Sequence, residues 1–265
     1  MSEEHKNFLK RNKQKKFLIH FSQFFILIAI ILGWQLLVNF QILDSFISSS
    51  PKLILNTLIK LHNEGNLYQH IGITIYETLI SFSIGTILGI IIATILWWNS
   101  FLEKVVDPYL IILNSLPKVA LGPIIIIIGG ANMNSIIIMA LLISVIITII
   151  NACDSFKNTN ENQIKIMKTF KAKKSQIFFK LVLPNSIKSI ISTLKINISM
   201  SLIGVIMGEF LVSKKGIGYL IMYGSQVFNI NLVFTGIIIL CVISTLMYYI
   251  VFYLEQKFTK QKINE

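Results

Sequence analysis

K165-I-M-K-T-F-K-A-K-K-S-Q-I-F-F-K-L-V-L-P184 lies within the longest polar segment of a chain otherwise built from long apolar runs, residues 153 to 183. Ile164, Met167 and Phe170 recur every third residue, with Lys165, Lys168 and Lys171 offset from them by one. That spacing predicts a helix with one apolar and one cationic face. Asn160 is placed to cap it, with Gln163 three residues on to reach back. Such a helix either lies on anionic lipid or docks into a groove on a cytoplasmic partner.

The segments on either side decide between water and lipid. The 265-residue chain is 54% hydrophobic and only 14% charged, and its mean hydropathy is +0.72. A soluble core cannot hide that much apolar surface, and soluble domains carry about 25% charged residues. A bilayer core about 30 Å thick needs roughly 20 apolar residues per helix. Six stretches meet that length: Phe17–Leu43, Ile71–Trp98, Val105–Ile128, Met133–Ala152, Ser189–Val212 and Asn231–Tyr253. Pro117 and Lys118 interrupt the third, and Lys195, Asn197 and Glu209 interrupt the fifth, so each is expected to be broken, tilted or shielded. The fold class is therefore all-α, a polytopic membrane protein with about six transmembrane helices. Its order is a basic tail (1–16), a first span (17–43), an external amphipathic segment (44–70), a core (71–255) containing the polar loop at 153–184, and a second tail (256–265).

Charge gives the orientation. Loops on the side of the two termini hold 17 Lys and Arg, against four in the alternate loops. Short cytoplasmic loops retain positive charge, so both termini are expected in the cytoplasm, beside anionic lipid. The N-terminal lysines adjoin a spanning helix and lack interleaved aromatics, which speaks against nucleic acid. The first apolar run is too long for a signal peptide and has no A-x-A site after it, so it reads as an uncleaved anchor. Cys153 and Cys241 lie far apart, and the four histidines are scattered, which gives no metal or disulfide framework.

Several motifs occur together in order: Ser50-Pro51 before an amphipathic stretch, Thr74 and Glu77 opening the second span, L116-P-K-V-A-L-G-P123, the 165–184 loop, G208-E-F210 and G216-I-G-Y-L220. Over residues 50 to 255 this order resembles the permeases of binding-protein-dependent ABC importers, most closely the nitrate/sulfonate/taurine type. Their signature loop reads E-A-A, three residues, G, about nine residues, I-x-L-P. Aligned on Leu183-Pro184, its Glu-Ala-Ala falls on Lys165, Ile166 and Met167 and its Gly on Lys171, with Ala172 kept. A lysine there is strained if the turn needs a positive φ.

The resemblance implies a bacterial inner-membrane subunit paired with a second copy of itself. A cytoplasmic ATPase would take the loop as a coupling helix, and an extracytoplasmic binding protein would deliver a small solute. Ile164, Lys165, Ile166, Met167, Phe170, Lys171, Ala172, Leu183 and Pro184 become the expected ATPase-coupling residues. The K214-K-G-I-G218 turn becomes a candidate binding-protein contact through Lys214, Lys215, Gly216 and Gly218. No G-x-x-x-x-G-K-[ST] phosphate loop is present, so hydrolysis is expected on the partner; no cofactor and no catalytic residue are expected on this chain.

Within the spans, Ser81, Gly85, Gly89 and Ala93 form a small-residue stripe suited to close helix packing. Glu77 and Glu209 are carboxyls at membrane depth, which need a partner or a wet cavity, and Lys195 or Lys118 is the candidate partner. Asn114, Ser115, Asn197 and Ser199 are candidate pathway residues, although hydroxyls can bond their own backbone. Pro117 and Pro123 around Gly122 predict a bend that serves gating or only shape. A secondary transporter driven by an ion gradient is the alternative; it predicts repeated halves, and no repeat is visible. No nucleophile or acid–base constellation supports a membrane enzyme.

Overall fold

A computed structural model of the chain describes residues 3–261; residues 1–2 of the expected basic tail and 262–265 of the expected C-terminal tail lie outside them. Every regular element among these residues is helical. Five helices are long and apolar enough to cross a membrane, at Phe17–Asn39, Leu67–Trp98, Met133–Lys157, Lys174–Val212 and Ile230–Lys257, and a bent pair makes a sixth.

The first of these is the outer part of α1 (Glu3–Asn39). It stops short of the expected Leu43 because the chain turns at Gln41, whose φ is +57°. The short α2 (Ser45–Ser48) and α3 (Pro51–Asn63) follow. Ser50 caps α3 by accepting from the Leu53 N–H at 3.3 Å, and Pro51 sits in the first turn, where its missing N–H costs nothing. Ile54 and Leu61 bury one face of α3.

The core is a three-helix sandwich in which α7 (Met133–Lys157) packs between α4 (Leu67–Trp98) and α10 (Leu183–Val212). Small residues set both contacts. A Cβ on Gly85 would fall 2.1 Å from Ser144 Oγ, and one on Gly89 2.5 Å from Thr148 Cβ, so the predicted stripe on α4 is a packing surface against α7. On the other side of α7, a Cβ on Gly204 would lie 2.5 Å from the Ala140 Cα, and one on Gly208 2.9 Å from the Ile136 Cα. This second small-xxx-small pair was legible in the sequence and went unread. α11 (Ile217–Gln226) and α12 (Ile230–Gln261) close the far side against α10 and α3.

The third expected span is not one helix. α5 (Ser100–Ser115) ends at Leu116, and the 3-10 turn Lys118–Leu121 leads into α6 (Gly122–Gly129) at an angle of 89°. Pro117 cannot donate to the ladder and holds Leu116 extended at ψ 136°, which forces the break. The fifth span, in contrast, continues beyond its expected start. The polar loop shrinks to α8 (Glu161–Thr169) and a turn, and from Lys174 the chain is helical again through α9 (Lys174–Ile177) and a π turn, Phe178–Val182, into α10. The π turn precedes Pro184 and widens the ladder where the proline ring would collide with the preceding turn.

Candidate functional site

The loop end of the bundle is anchored by aromatic packing. Phe178 sits among Trp97, Trp98 and Phe156, with ring centroids 4.8, 5.1 and 5.4 Å away. Lys174 donates to the Trp98 carbonyl at 2.6 Å and lies 5.4 Å from the Trp97 ring centroid. Glu103 and Lys157 join α5 to α7 at 2.9 Å. Ile164 and Met167 of the short α8 pack against this cluster.

Asn160 does cap α8, its Oδ1 accepting from the Asn162 N–H at 2.9 Å. The expected reach-back by Gln163 is absent; its Oε1 accepts instead from Asn185 Nδ2 at 3.2 Å, which ties α8 to α10. The apolar residues split in a way that periodicity alone did not show. Ile164, Met167 and Ala172 are half-buried against the protein's own core, as is Leu183. Phe170 is 81% exposed and Ile166 57%, flanked by exposed Lys165, Lys168 and Lys171. The reason is that α8 ends at Thr169, so Phe170 follows the helix instead of extending its inner stripe.

Lys171 occupies the position after the helix with φ +55°. Its N–H donates to the Lys168 carbonyl at 2.9 Å, and the Ala172 N–H to the Met167 carbonyl at 3.0 Å. This is a Schellman turn, with a lysine where glycine is usual. A left-handed non-glycine residue costs about 1–2 kcal/mol, partly offset by the greater freedom glycine has when unfolded. Lys171→Gly is therefore expected to stabilise the chain by about 0.5–1 kcal/mol. A small upward shift of Tm in detergent checks it, and Lys171→Ala should show no such gain.

At the opposite end of the bundle, α4, α10 and α11 meet around Glu209. Thr74 Oγ1 donates to Glu209 Oε1 at 2.6 Å, and the Gly218 N–H donates to Oε2 at 2.5 Å. Thr74 Oγ1 also accepts from the Ile217 N–H at 2.9 Å, and His70 Nδ1 from the Gly216 N–H at 2.9 Å. Glycine is required at 216, where φ is +106° and a Cβ would fall 2.3 Å from the Glu209 carboxyl. Gly216 and Gly218 are thus buried supports for this carboxyl, and only Lys214 and Lys215 of the turn face outward.

Glu77 lies against Glu209 and is 2% exposed. Among the described residues neither carboxyl takes a lysine partner, contrary to expectation. Lys195 pairs with Glu255 of α12 at 2.7 Å, and Lys118 Nζ donates to the Asn114 carbonyl. Distance along the chain hid Glu255, and the contributions of Thr74 and His70 were hidden likewise.

The remaining candidates are dispersed. Asn197 is 1% exposed and joins the three core helices, accepting from Ser144 Oγ at 2.8 Å and donating to Thr86 Oγ1 at 2.7 Å. Ser199 and Ser115 bond back to the carbonyls of Lys195 and Ile111. Asn114, Ser115 and Pro117 are exposed at the α5–α6 break.

The described residues form a polytopic helical bundle of five to six apolar spans. Residues 85–260 match the family described as binding-protein-dependent transport system inner membrane component, and the chain belongs to that family. It is 28% identical over 231 residues to a Haemophilus influenzae chain described as an ABC transporter permease, covering 87% of this chain and 93% of that one. It is also 28% identical over 196 residues to the formylaminopyrimidine transport permease of Halalkalibacterium halodurans, covering 74% and 77%. The fold is similar to the MetNI methionine ABC transporter in an inward-facing conformation, with a TM-score of 0.62 and 18% identity over 74% of this chain and 95% of that one. The protein is therefore a multi-pass inner-membrane permease subunit of an ABC importer, and ATP hydrolysis is not its own chemistry.

Proposed function

We propose that this chain works as one of two identical copies, with both termini and α8 in the cytoplasm, and passes a small polar solute inward when ATPase subunits close on α8. The observation that carries this reading is the exposed pair Ile166 and Phe170. Two large apolar side chains stand exposed among three lysines, Ile166 on α8 and Phe170 just past its end, while Ile164 and Met167 pack onto the bundle. An amphipathic helix held this way is suited to a groove on a partner. Lys165, Lys168 and Lys171 would meet acidic groups at the rim of that groove and steer docking. The packing of Ile164 and Met167 on the bundle would carry ATPase closure into the spans as a rigid lever, switching the opening between the two faces.

The solute belongs to the sulfonate, taurine, nitrate or vitamin-precursor group. Relatives described as aliphatic sulfonates, formylaminopyrimidine and taurine permeases support that breadth. Lys214 and Lys215 would meet the binding protein on the outer face. The test is to co-purify the chain with the ATPase and binding protein encoded beside it and to measure ATP hydrolysis in lipid. Stimulation by loaded binding protein is the expected result; hydrolysis indifferent to it, or uptake following an ion gradient, would end this reading.

A further inference from the structure

Two carboxyls meet where α4 packs on α10, and among the described residues no cation pairs with either. Glu77 and Glu209 are 2% and 1% exposed, and a hydrogen bond joins their side chains. Two carboxylates offer only acceptors, so that bond needs a proton on one of them. The surrounding donors decide which. Glu209 already accepts from the Thr74 hydroxyl at 2.6 Å and from the Gly218 and Tyr219 N–H groups, an environment that suits a carboxylate. Glu77 has no such support. Its Oε2 lacks any partner among the described residues, a cost that a neutral acid bears far better than a charge. The other titratable groups around the pair are His70 of α4, whose Nδ1 accepts from the Gly216 N–H at 2.9 Å, and Tyr219 of α11, whose ring stacks on His70 at 5.9 Å. Lys214 and Lys215 stand exposed on the turn between α10 and α11, and α7 meets this end of α10 through the uncharged Ile136.

We propose that Glu77 is a positioning residue that holds one proton against Glu209, and that this shared proton latches the outward Lys214–Gly218 turn to α4. Glu209 grips the turn through the Gly218 N–H, and its carboxyl fills the space where a Cβ on Gly216 would lie. The Glu77 acid ties the same carboxyl to α4, beside the Thr74 and His70 contacts. Loss of the proton would set two charges side by side in a buried site, and like carboxylates in contact cannot both stay there ionised. They would separate, and α4 would part from the turn that carries Lys214 and Lys215. Protonation of His70 acts at the other end of the pH scale, because its Nδ1 would cease to accept from the Gly216 N–H. The effect on transport rests on the importer reading, in which this turn meets the binding protein; the shared proton stands on the geometry alone.

The experiment uses the full chain with its ATPase partner in lipid nanodiscs and has two readouts. Infrared spectroscopy is expected to show the carbonyl stretch of a protonated carboxylic acid at neutral pH. That band should disappear when the wild type is taken to alkaline pH, a result that needs no variant. It should also be missing from Glu77→Gln, whose amide still donates to Glu209 but holds no titratable proton. The second readout is the ratio of ATP hydrolysis with and without loaded binding protein, followed from about pH 7 to about pH 9.5. The ratio should fall several-fold over that range in the wild type and stay level in Glu77→Gln. An acid band absent from the wild type, or unchanged in Glu77→Gln, overturns the shared proton. The same alkaline fall in both proteins, or a level ratio in the wild type, overturns the latch. No stimulation of the wild type at any pH ends the importer reading and the latch with it, while the infrared band still decides the proton.

Discussion

Replacing Ile166 and Phe170 together by aspartate is expected to abolish ATP-dependent uptake while leaving the permease folded. Both side chains are exposed in the isolated chain, so the substitution removes almost none of its own packing. Buried aromatic and aliphatic anchors at interfaces commonly contribute about 2–4 kcal/mol each. Losing even one such contribution weakens association between roughly 30-fold and 1,000-fold. Burying a new carboxylate in the partner's groove adds a desolvation penalty. The measurement is retention of the ATPase on the tagged permease, alongside an unchanged Tm of the permease alone. Met167→Asp provides the contrast: Met167 packs on the bundle core, so its loss should lower Tm before it affects docking. An Ile166/Phe170 variant that keeps full ATPase binding would remove the assigned role of α8.

Gly204→Leu is expected to leave little or no folded protein. The added Cβ alone would lie 2.5 Å from the Ala140 Cα, a backbone atom that no rotamer change can move. Overpacked cores in which side chains can yield lose about 1–3 kcal/mol. Here α7 and α10 must separate as whole helices, and the neighbouring Gly208–Ile136 contact opens with them, so the cost exceeds that range against a typical total stability of about 5–15 kcal/mol. Gly72→Leu is the control, because nothing lies within 4 Å of a Cβ at that exposed position on α4. A monodisperse peak in size-exclusion chromatography should vanish for Gly204→Leu and persist for Gly72→Leu. Comparable behaviour of the two would mean that α7 and α10 are not in contact at this point.

What the sequence could show divides along a physical line. Features carried by neighbours in the chain were legible: apolar length gave the spans, Pro117 the break, and Ser50-Pro51 the start of α3. The three-residue spacing of Ile164 and Met167 correctly indicated α8, but spacing cannot show where a helix ends. Phe170 shares that spacing, yet it follows the last helical residue and is exposed, while Ile164 and Met167 pack on the bundle. Features made by packing between distant elements were not legible. Lys195 lies closer in sequence to Glu209 than to Glu255, yet the bundle brings the lysine to Glu255 and surrounds Glu209 with Thr74, Gly216 and Gly218. The anticipated strain at Lys171 is present because a hydrogen-bonded turn imposes its backbone angle whatever residue stands there.

The right-angle break at Leu116 and Pro117 places a demand on the chain's own hydrogen bonds. The 16 residues of α5 extend about 24 Å at 1.5 Å per residue, less than the roughly 30 Å of hydrocarbon, and α6 is shorter still. Carbonyls at such a corner leave the helical ladder, and within lipid only water or protein can satisfy them. Asn114, Ser115 and the Lys118 ammonium gather at the same corner. The carbonyls of Ile111, Ile112, Asn114 and Pro117 accept there from Ser115, Leu116, Lys118 and Ala120. The corner is thereby sealed by the chain's own donors, so a right-angle turn can stand near lipid without leaving those carbonyls unpaired.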